Sequence, residues 1–242
     1  MNTFSDSVVT AIGLIVSGDP GLWSIVLRSL VVSVLATAIA YGLGLWFGAW
    51  LAGARFKGRA AVLTLLNTAL AVPAVVVGLV VYLLLSRSGP LGFLGWLFSV
   101  PAMVMAQAVL VLPLVTALVR QIVEDADRDH GEQLRSMGAG TLTRSLLLAW
   151  DERYALLTIF ITAFGRAISE VGTVMIVGGN IDGFTRVMTT AIALETSKGD
   201  LPLALGLGLV LLAVVLVLNA MVSVVRRWRE REDGLMPEGA MA

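Results

Sequence analysis

The segment that decides the fold is residues 121–153, QIVEDADRDHGEQLRSMGAGTLTRSLLLAWDER. This segment is polar and charged, whereas the chain on both sides of it consists of long apolar runs. Such runs are typical of helices that cross a bilayer. A membrane chain without a large soluble domain rarely carries so long a polar segment in its middle unless another protein docks there. The sequence therefore predicts a membrane protein with a docking segment between its spans.

The composition supports a membrane protein and excludes several classes of site. Of the 242 residues, 57% are hydrophobic and 14% are charged, whereas a soluble domain carries about 25% charged residues. The net charge of zero gives no attraction to nucleic acid, so we expect no nucleic-acid partner. The chain has no cysteine and a single histidine, His130. Disulfides and thiolate sites are therefore excluded, and we expect neither a metal site nor a cofactor in this chain.

Five apolar runs are long enough to cross the hydrocarbon core of a bilayer, which takes about 20 residues. We predict an all-α, polytopic membrane helical bundle with about five transmembrane helices. Pro73 and Pro113 fall inside two of the runs, where each can bend its helix. The five runs are approximately Trp23–Ala52, Ala60–Leu85, Leu97–Val119, Tyr154–Val177 and Leu201–Val225.

The ends of the chain lie outside these spans. Residues 1–22 form an N-terminal segment in which a short apolar stretch, Val8–Val16, predicts a helix on the membrane surface. No basic region precedes that stretch, so it does not resemble a signal peptide. We therefore expect a transmembrane domain over residues 23–225 and a cytoplasmic tail over residues 226–242.

The distribution of lysine and arginine predicts the orientation. With five spans, twelve of these residues fall on one side, in the segments 53–59, 120–153 and 226–231, and three fall on the other side. Loops rich in lysine and arginine stay in the cytoplasm. We therefore expect the N-terminus outside, and the tail and the polar segment inside.

Small residues recur at every fourth position of the first span. Such a stripe allows a neighbouring helix to approach closely, and ordinary packing inside the bundle explains it. The residues are Ala36, Ala40, Gly44, Gly48 and Ala52.

The polar segment contains a helix–glycine–helix pattern. Residues 134–140, LRSMGAG, interrupt one helical pattern, and a second pattern runs from Leu142 to Trp150. Glycine allows the chain to turn sharply, because it has no Cβ. The pattern predicts a stiff projection at the cytoplasmic surface.

This projection resembles the EAA loop of ABC importer permeases, on which the ATP-hydrolysing subunit docks. In that loop a Glu-Ala-Ala triplet precedes a glycine at a fixed spacing, and a Leu-Pro pair follows later. Two triplet residues differ in this sequence, and Trp150-Asp151 replaces the Leu-Pro pair. The resemblance implies a coupling-helix loop at about 121–153 whose ATPase-coupling residues are Glu132, Gln133, Leu134, Gly138 and Ala139.

A second match lies downstream, between Gly165 and Asp200. The sequences GRAISEVG at 165–172, MIVGGNI at 175–181, TRVMTTAI at 185–192 and ETSKGD at 195–200 carry it. They resemble the permease subunits of oxyanion ABC importers, most nearly the tungstate type, while molybdate and sulfate permeases share a looser version. The resemblance extends from the first span to about Asn219.

The resemblance implies a set of partners and a location. The chain would be a homodimeric permease in the inner (plasma) membrane that carries an oxyanion, tungstate first and molybdate or sulfate as alternatives. An ABC ATPase dimer on the cytoplasmic side would hold ATP and magnesium. A solute-binding protein would deliver the anion on the outer side.

The residues themselves indicate where an anion could pass. Arg166 and Glu170 are four residues apart, so they share a helix face beside an apolar run, where ionisable groups are costly. They fit either a polar pair on a path or an ion pair that only locks the helix. Hydroxyls, amides and cations can replace the water around a hydrated oxyanion, whereas the polarity of a surface loop explains Lys198. The candidates for the path or its gate are Arg166, Ser169, Glu170, Asn180, Thr185, Arg186, Thr189 and Thr190.

Two other classes of protein compete with a transport subunit. An intramembrane enzyme could use Ser169 or Glu170, but no histidine lies near any span to activate the serine. A passive scaffold would not need the element around Gly138. The chain also lacks the glycine-rich phosphate loop of an ATPase, so we expect a separate subunit to hydrolyse ATP.

Overall fold

The computed structural model describes residues 3–138 and 140–232, and for residues 3, 4, 141, 142 and 230–232 it describes the backbone alone. Within these limits the regular structure is helical, without strands. One 3-10 turn occurs, at Gly92–Leu94. The helices are α1 Thr3–Val16, α2 Pro20–Gly53, α3 Arg59–Ala71, α4 Ala74–Leu85, α5 Val100–Ser136, α6 Thr141–Asp151, α7 Arg153–Ile168, α8 Gly172–Gly178, α9 Met188–Lys198 and α10 Leu201–Glu232.

Helices α2, α5 and α10 are each long and apolar enough to cross a membrane. Two pairs of shorter helices, α3 with α4 and α7 with α8, are long and apolar enough for a span when each pair is taken together. Each pair is bent by more than 40° at a break of at most four residues. Counting each bent pair as one span gives five. The predicted all-α polytopic bundle of about five transmembrane helices is therefore confirmed.

The two bent pairs differ in how visible they are in the sequence. Pro73 separates α3 from α4, because proline has no N–H and disfavours a helical conformation in the residue before it. Pro113 also lies in an apolar run, yet α5 continues through it. The helix is thus interrupted at Pro73 and continuous through Pro113. The break between α7 and α8 contains no proline, and it was not predicted.

The structure moves several predicted boundaries. Helix α2 begins at Pro20, because the Asp19 carboxylate accepts the Leu22 N–H at 2.8 Å and proline suits the first helical position. The helix therefore begins shortly before Trp23, where we predicted the span to start. Helix α5 runs beyond the predicted end at Val119 to Ser136, and α10 continues past Val225 to Glu232.

The chain forms two compact units, which we describe separately. The first unit comprises the described parts of Met1–Ala38, Val72–Val111 and Phe164–Leu216. One of its core clusters contains Val32, Met103, Val174 and Val187, all buried. Short helices α4 and α8 also pack tightly in this unit, since a Cβ added to Gly78 would lie 3.0 Å from the Thr173 Cα.

The second unit comprises the described parts of Ile39–Ala71, Leu112–Ala163 and Val217–Ala242. Here the small-residue stripe of α2 lies against α5. A Cβ on Gly48 would approach the Thr116 carbonyl oxygen and the Val119 Cβ to 2.8 Å each. The close approach expected from the stripe is therefore present in this unit.

The polar segment of the second unit is helical on both sides of a turn. Helix α5 ends at Ser136, Gly138 has a φ of +81°, and α6 begins at Thr141. A positive φ suits glycine, because a side chain would be strained there. Ala139 lies outside the described residues.

Candidate functional site

Glu170 lies in the break between α7 and α8, and its side chain is only 5% exposed. One carboxylate oxygen accepts a hydrogen bond from the Arg166 Nη1 at 2.8 Å, and the other accepts one from the Thr173 N–H at 3.2 Å. The carboxylate thus binds a cation and also satisfies a backbone donor in the first turn of α8. The arrangement explains why the chain can break its helix here without proline.

Two further hydrogen bonds fix the break within the first unit. The Thr173 hydroxyl donates to the Ala74 carbonyl oxygen at 2.8 Å, which ties α8 to the start of α4. The Thr189 hydroxyl donates to the backbone carbonyl oxygen of Glu170 at 2.7 Å. Thr173 and Thr189 are both buried. Both breaks of the apolar helices are thereby held through hydroxyl groups.

Arg166 and Ser169 remain open at this break. The Arg166 side chain is 47% exposed, and Ser169 is also exposed. Glu170 is the one ion-pair partner of Arg166 in the described part of the chain. An arginine at membrane depth does not face hydrocarbon, because the transfer of its charge from water is too costly. This surface of the chain therefore faces water, an anion or another protein.

The loop at residues 179–187, between α8 and α9, is held by its own polar groups. The Thr185 hydroxyl donates to the Gly178 carbonyl oxygen at 2.6 Å and accepts the Ile181 N–H at 2.9 Å. The Thr190 hydroxyl accepts the Val187 N–H at 3.2 Å. Asn180 has a φ of +51°, and its amide donates to the Thr190 carbonyl oxygen at 3.4 Å. These groups shape the loop and its junction with α9.

Arg186 of the same loop is neutralised within the first unit. Its side chain is 14% exposed and lies 3.1 Å from the Asp182 carboxylate and 3.6 Å from the Glu195 carboxylate. Glu195 is buried and also binds the Lys198 ammonium group at 3.0 Å. Two carboxylates therefore compensate two cations, and little charge is left for a passing anion.

Arg28 clamps the 179–187 loop to α2. Its guanidinium donates to the carbonyl oxygens of Arg186 and Gly183, each at 2.9 Å. Beside it, the Ser29 hydroxyl accepts the Met188 N–H at 2.7 Å, at the start of α9. These contacts hold the arginine in a definite position within the first unit.

The predicted coupling residues lie in the second unit, at the end of α5. Glu132 and Gln133 are exposed, Leu134 is half-buried, and Gly138 occupies the turn described above. Apolar side chains are also exposed nearby, namely Met137, Leu146, Leu147 and Trp150. Exposed apolar patches with a polar rim are typical of protein contact sites. The surface around the turn therefore has the character of a docking site.

Comparison with known proteins places the chain in a family. Residues 41–232 match the model of the binding-protein-dependent transport system inner membrane component. The chain belongs to this family. It is therefore an ABC importer permease subunit, a transport component rather than an enzyme, and a multi-pass protein of the inner membrane.

Curated relatives of the permease cover nearly all of the chain. It is 40% identical to the tungstate uptake system permease protein TupB of Peptoclostridium acidaminophilum, over 92% of the chain and 97% of that protein. It is also 40% identical to a probable anion ABC transporter permease of Haloferax volcanii, over 88% and 93%. Identity to the molybdenum transport system permease protein ModB of Escherichia coli K12 is 31%, over 86% and 93%. The predicted resemblance to oxyanion importer permeases is confirmed.

Sequence reasoning missed three polar residues of the permease. Asn67 is exposed on α3, a helix with no buried residue. Gln107 is buried in α5, and its amide donates to the Ala167 carbonyl oxygen at 2.9 Å. Glu195 compensates Arg186. A lone amide or carboxylate in or beside an apolar run is the signal that could have found all three.

Proposed function

We propose that this permease carries tungstate across the inner membrane as part of a complete ABC importer. The observation that carries the proposal is the 40% identity to a tungstate permease across 97% of that protein's length. The relative that transports molybdenum is 31% identical. Molybdate and sulfate are the alternative substrates, because they carry the same charge as tungstate.

Arg166 and Ser169 are the residues that we propose for the path. They combine a half-exposed cation with an exposed hydroxyl at the break between α7 and α8. A guanidinium with a free edge can exchange its contact with Glu170 for a charge-assisted hydrogen bond to an oxyanion. One arginine per subunit binds a dianion weakly, which suits a path because the anion must also leave. The tight binding then belongs to the solute-binding protein.

The remaining candidates take a different role in this proposal. Their hydroxyl, amide and guanidinium groups are engaged within the chain and support the break and the 179–187 loop. Glu170 holds Arg166 in place between transport events. The residues that support the path without contacting the anion are Asn180, Thr185, Arg186, Thr189 and Thr190.

A second copy of the chain completes the transporter in this proposal. Helix α3 buries none of its residues within the described chain, and on it Asn67 presents an exposed amide, with Thr64 one turn earlier on the same face. In a membrane, an exposed amide favours another helix over lipid, because a partner can accept its hydrogen bonds. A homodimer covers this face.

The cytoplasmic partner is an ABC ATPase dimer that holds ATP and magnesium. We assign its docking surface to Glu132, Gln133, Leu134, Gly138 and the exposed apolar side chains of α6. Closure of the ATPases on ATP would move the docking surfaces of two permeases as rigid bodies and switch the side on which the path opens. A solute-binding protein delivers the anion from outside.

Gly138 provides a test of the docking surface with a matched control in Gly140. A Cβ at either position meets no atom within 4 Å, but the φ of Gly138 is +81° and that of Gly140 is −64°. Gly138→Val should therefore strain the turn by about 1–3 kcal/mol and weaken ATPase binding, while Gly140→Val should have little effect. Pull-down of the ATPase by each variant measures this. Equal binding by both variants would argue against the role of the turn.

From the distribution of lysine and arginine, we expect the N-terminus outside and the C-terminus in the cytoplasm. Because the chain has no cysteine, single cysteines report this orientation directly. Lys57→Cys should be protected from an impermeant reagent added outside intact cells, and Phe184→Cys should react. Outside labelling of position 57 would reverse the orientation.

The experiment that tests the function uses the whole importer in proteoliposomes. Tungstate on its binding protein should stimulate ATP hydrolysis and tungstate uptake, and the permease alone should bind tungstate weakly. Molybdate and sulfate presented in the same way show which oxyanion is preferred. A complex that ignores all three and responds to an amino acid or a sugar would refute the substrate.

A further inference from the structure

A basic cleft lies in the second unit, apart from the residues assigned to the path. It has a volume of about 690 Å³ and is formed by the end of α2, the loop that follows it, and the α5–α6 segment. Three arginines line it, namely Arg55, Arg135 and Arg144. Two aromatic side chains, Trp50 and Phe56, complete the wall.

The arginines of the cleft are undercompensated. Asp127 alone pairs with two of them, since its carboxylate oxygens lie 3.0 Å from the Arg135 Nη2 and 2.6 Å from the Arg144 Nε. Arg55 makes no ion pair with any residue that the structure describes. Three guanidinium groups therefore line the cleft, and one carboxylate pairs with two of them.

Arg144 is the least exposed of the three arginines, and Asp127 is its one ion-pair partner among the described residues. Its side chain is only 10% exposed, so water screens its charge poorly. By contrast, the exposed ion pair between Arg128 and Asp125 is balanced and open to solvent. Asp129 and Glu132 are also exposed and do not line the cleft. An anion inside the cleft would relieve the repulsion that the chain leaves uncompensated.

The aromatic wall indicates at which level of the membrane the cleft lies. The rings of Trp50, in the last turn of the apolar helix α2, and Phe56, in the loop after it, stack with centroids 5.6 Å apart. Aromatic side chains in such positions lie at the level of lipid headgroups. Basic pockets at that depth on the cytoplasmic side suit phosphate groups, which arginine binds through two parallel hydrogen bonds.

We propose that the cleft is an oxyanion-binding site of the phosphate class, held by Arg55, Arg135 and Arg144. Two sources present this chemistry, namely the headgroup phosphate of an anionic lipid and a free oxyanion in the cytoplasm. Arg166 does not line the cleft, and binding there does not depend on which anion the importer carries.

Arg55 and Lys57 provide a matched pair for the test. Both are exposed cations of the same loop, but only Arg55 lines the cleft and neither forms an ion pair among the described residues. Inorganic phosphate is titrated against the purified full-length permease at constant ionic strength, and retained phosphatidylglycerol is counted by native mass spectrometry, with phosphatidylcholine as the reference lipid. Arg55→Gln should weaken binding about tenfold, the value of one charge-assisted hydrogen bond, and Lys57→Gln should not.

Asp127 supplies a second variant, which should change anion binding in the opposite direction. Asp127→Asn removes the one compensating charge, so it should tighten binding while it lowers stability; a purely structural cluster would show the second effect alone. Selective retention of phosphatidylglycerol assigns a lipid headgroup, and binding of phosphate without lipid preference assigns a free anion. The proposal is overturned if neither probe binds, or if Lys57→Gln weakens binding as much as Arg55→Gln.

Discussion

The break between α7 and α8 and the 179–187 loop belong to the same unit, yet they use arginine in opposite ways. In the loop, Arg186 is 14% exposed and lies between Asp182 and Glu195. At the break, Arg166 is 47% exposed and has Glu170 on one side only. An arginine whose partners all belong to the chain stabilises the fold, whereas one that keeps an open edge can bind something outside it.

We expect the largest loss of stability from removing the buried carboxylate that pairs with Arg186. Glu195→Ala should lower the free energy of unfolding by about 3 kcal/mol, because it leaves the poorly exposed Arg186 with one solvated partner. Chemical unfolding of the purified permease, followed by tryptophan fluorescence, measures the change.

Asp182→Asn is the matched control, since it removes the other carboxylate from the same arginine. The Asp182 side chain is 79% exposed, so its loss should cost at most about 1 kcal/mol. If both variants unfold alike, the burial of Glu195 does not carry the stability of the loop.

A smaller effect is expected at the break. A double-mutant cycle with Arg166→Gln and Glu170→Gln should give a coupling energy of about 1 kcal/mol, because the arginine is half-exposed and solvent weakens the pair. The double variant should be more stable than the sum of the two single losses predicts, since each single variant leaves one charge without its partner. Simple additivity in unfolding experiments would show that the two charges do not interact.

The sequence predicted the spans well and their breaks poorly. Hydropathy averaged over a window identifies each apolar run, and Pro73 marked one break through its missing N–H. The other break depends on the Glu170 carboxylate at the Thr173 N–H and on the Thr189 hydroxyl, which is distant in the chain. Such contacts have no periodic signature, so they emerge only from the tertiary structure.

The sequence predicted the residue types of the candidate site, but it predicted few of the groups with which they form hydrogen bonds. The four-residue spacing of Arg166 and Glu170 predicted their contact, which is present although Glu170 lies in the break just after α7. The hydroxyls of Thr185 and Thr190 looked equally suited to an anion, yet they bind the backbone of their own loop. Sequence shows which groups can form hydrogen bonds, and burial decides which remain free to bind a ligand.

Tungstate uptake by the reconstituted importer carrying Arg166→Gln tests whether Arg166 lies on the path. We predict that uptake falls by about tenfold or more, because one strong contact along the path is lost. The unfolding free energy should change far less than in Glu195→Ala. Arg166→Lys should recover part of the uptake, because it restores the charge without the guanidinium fork. Uptake by Arg166→Gln at the wild-type rate would contradict the assignment of Arg166 to the path.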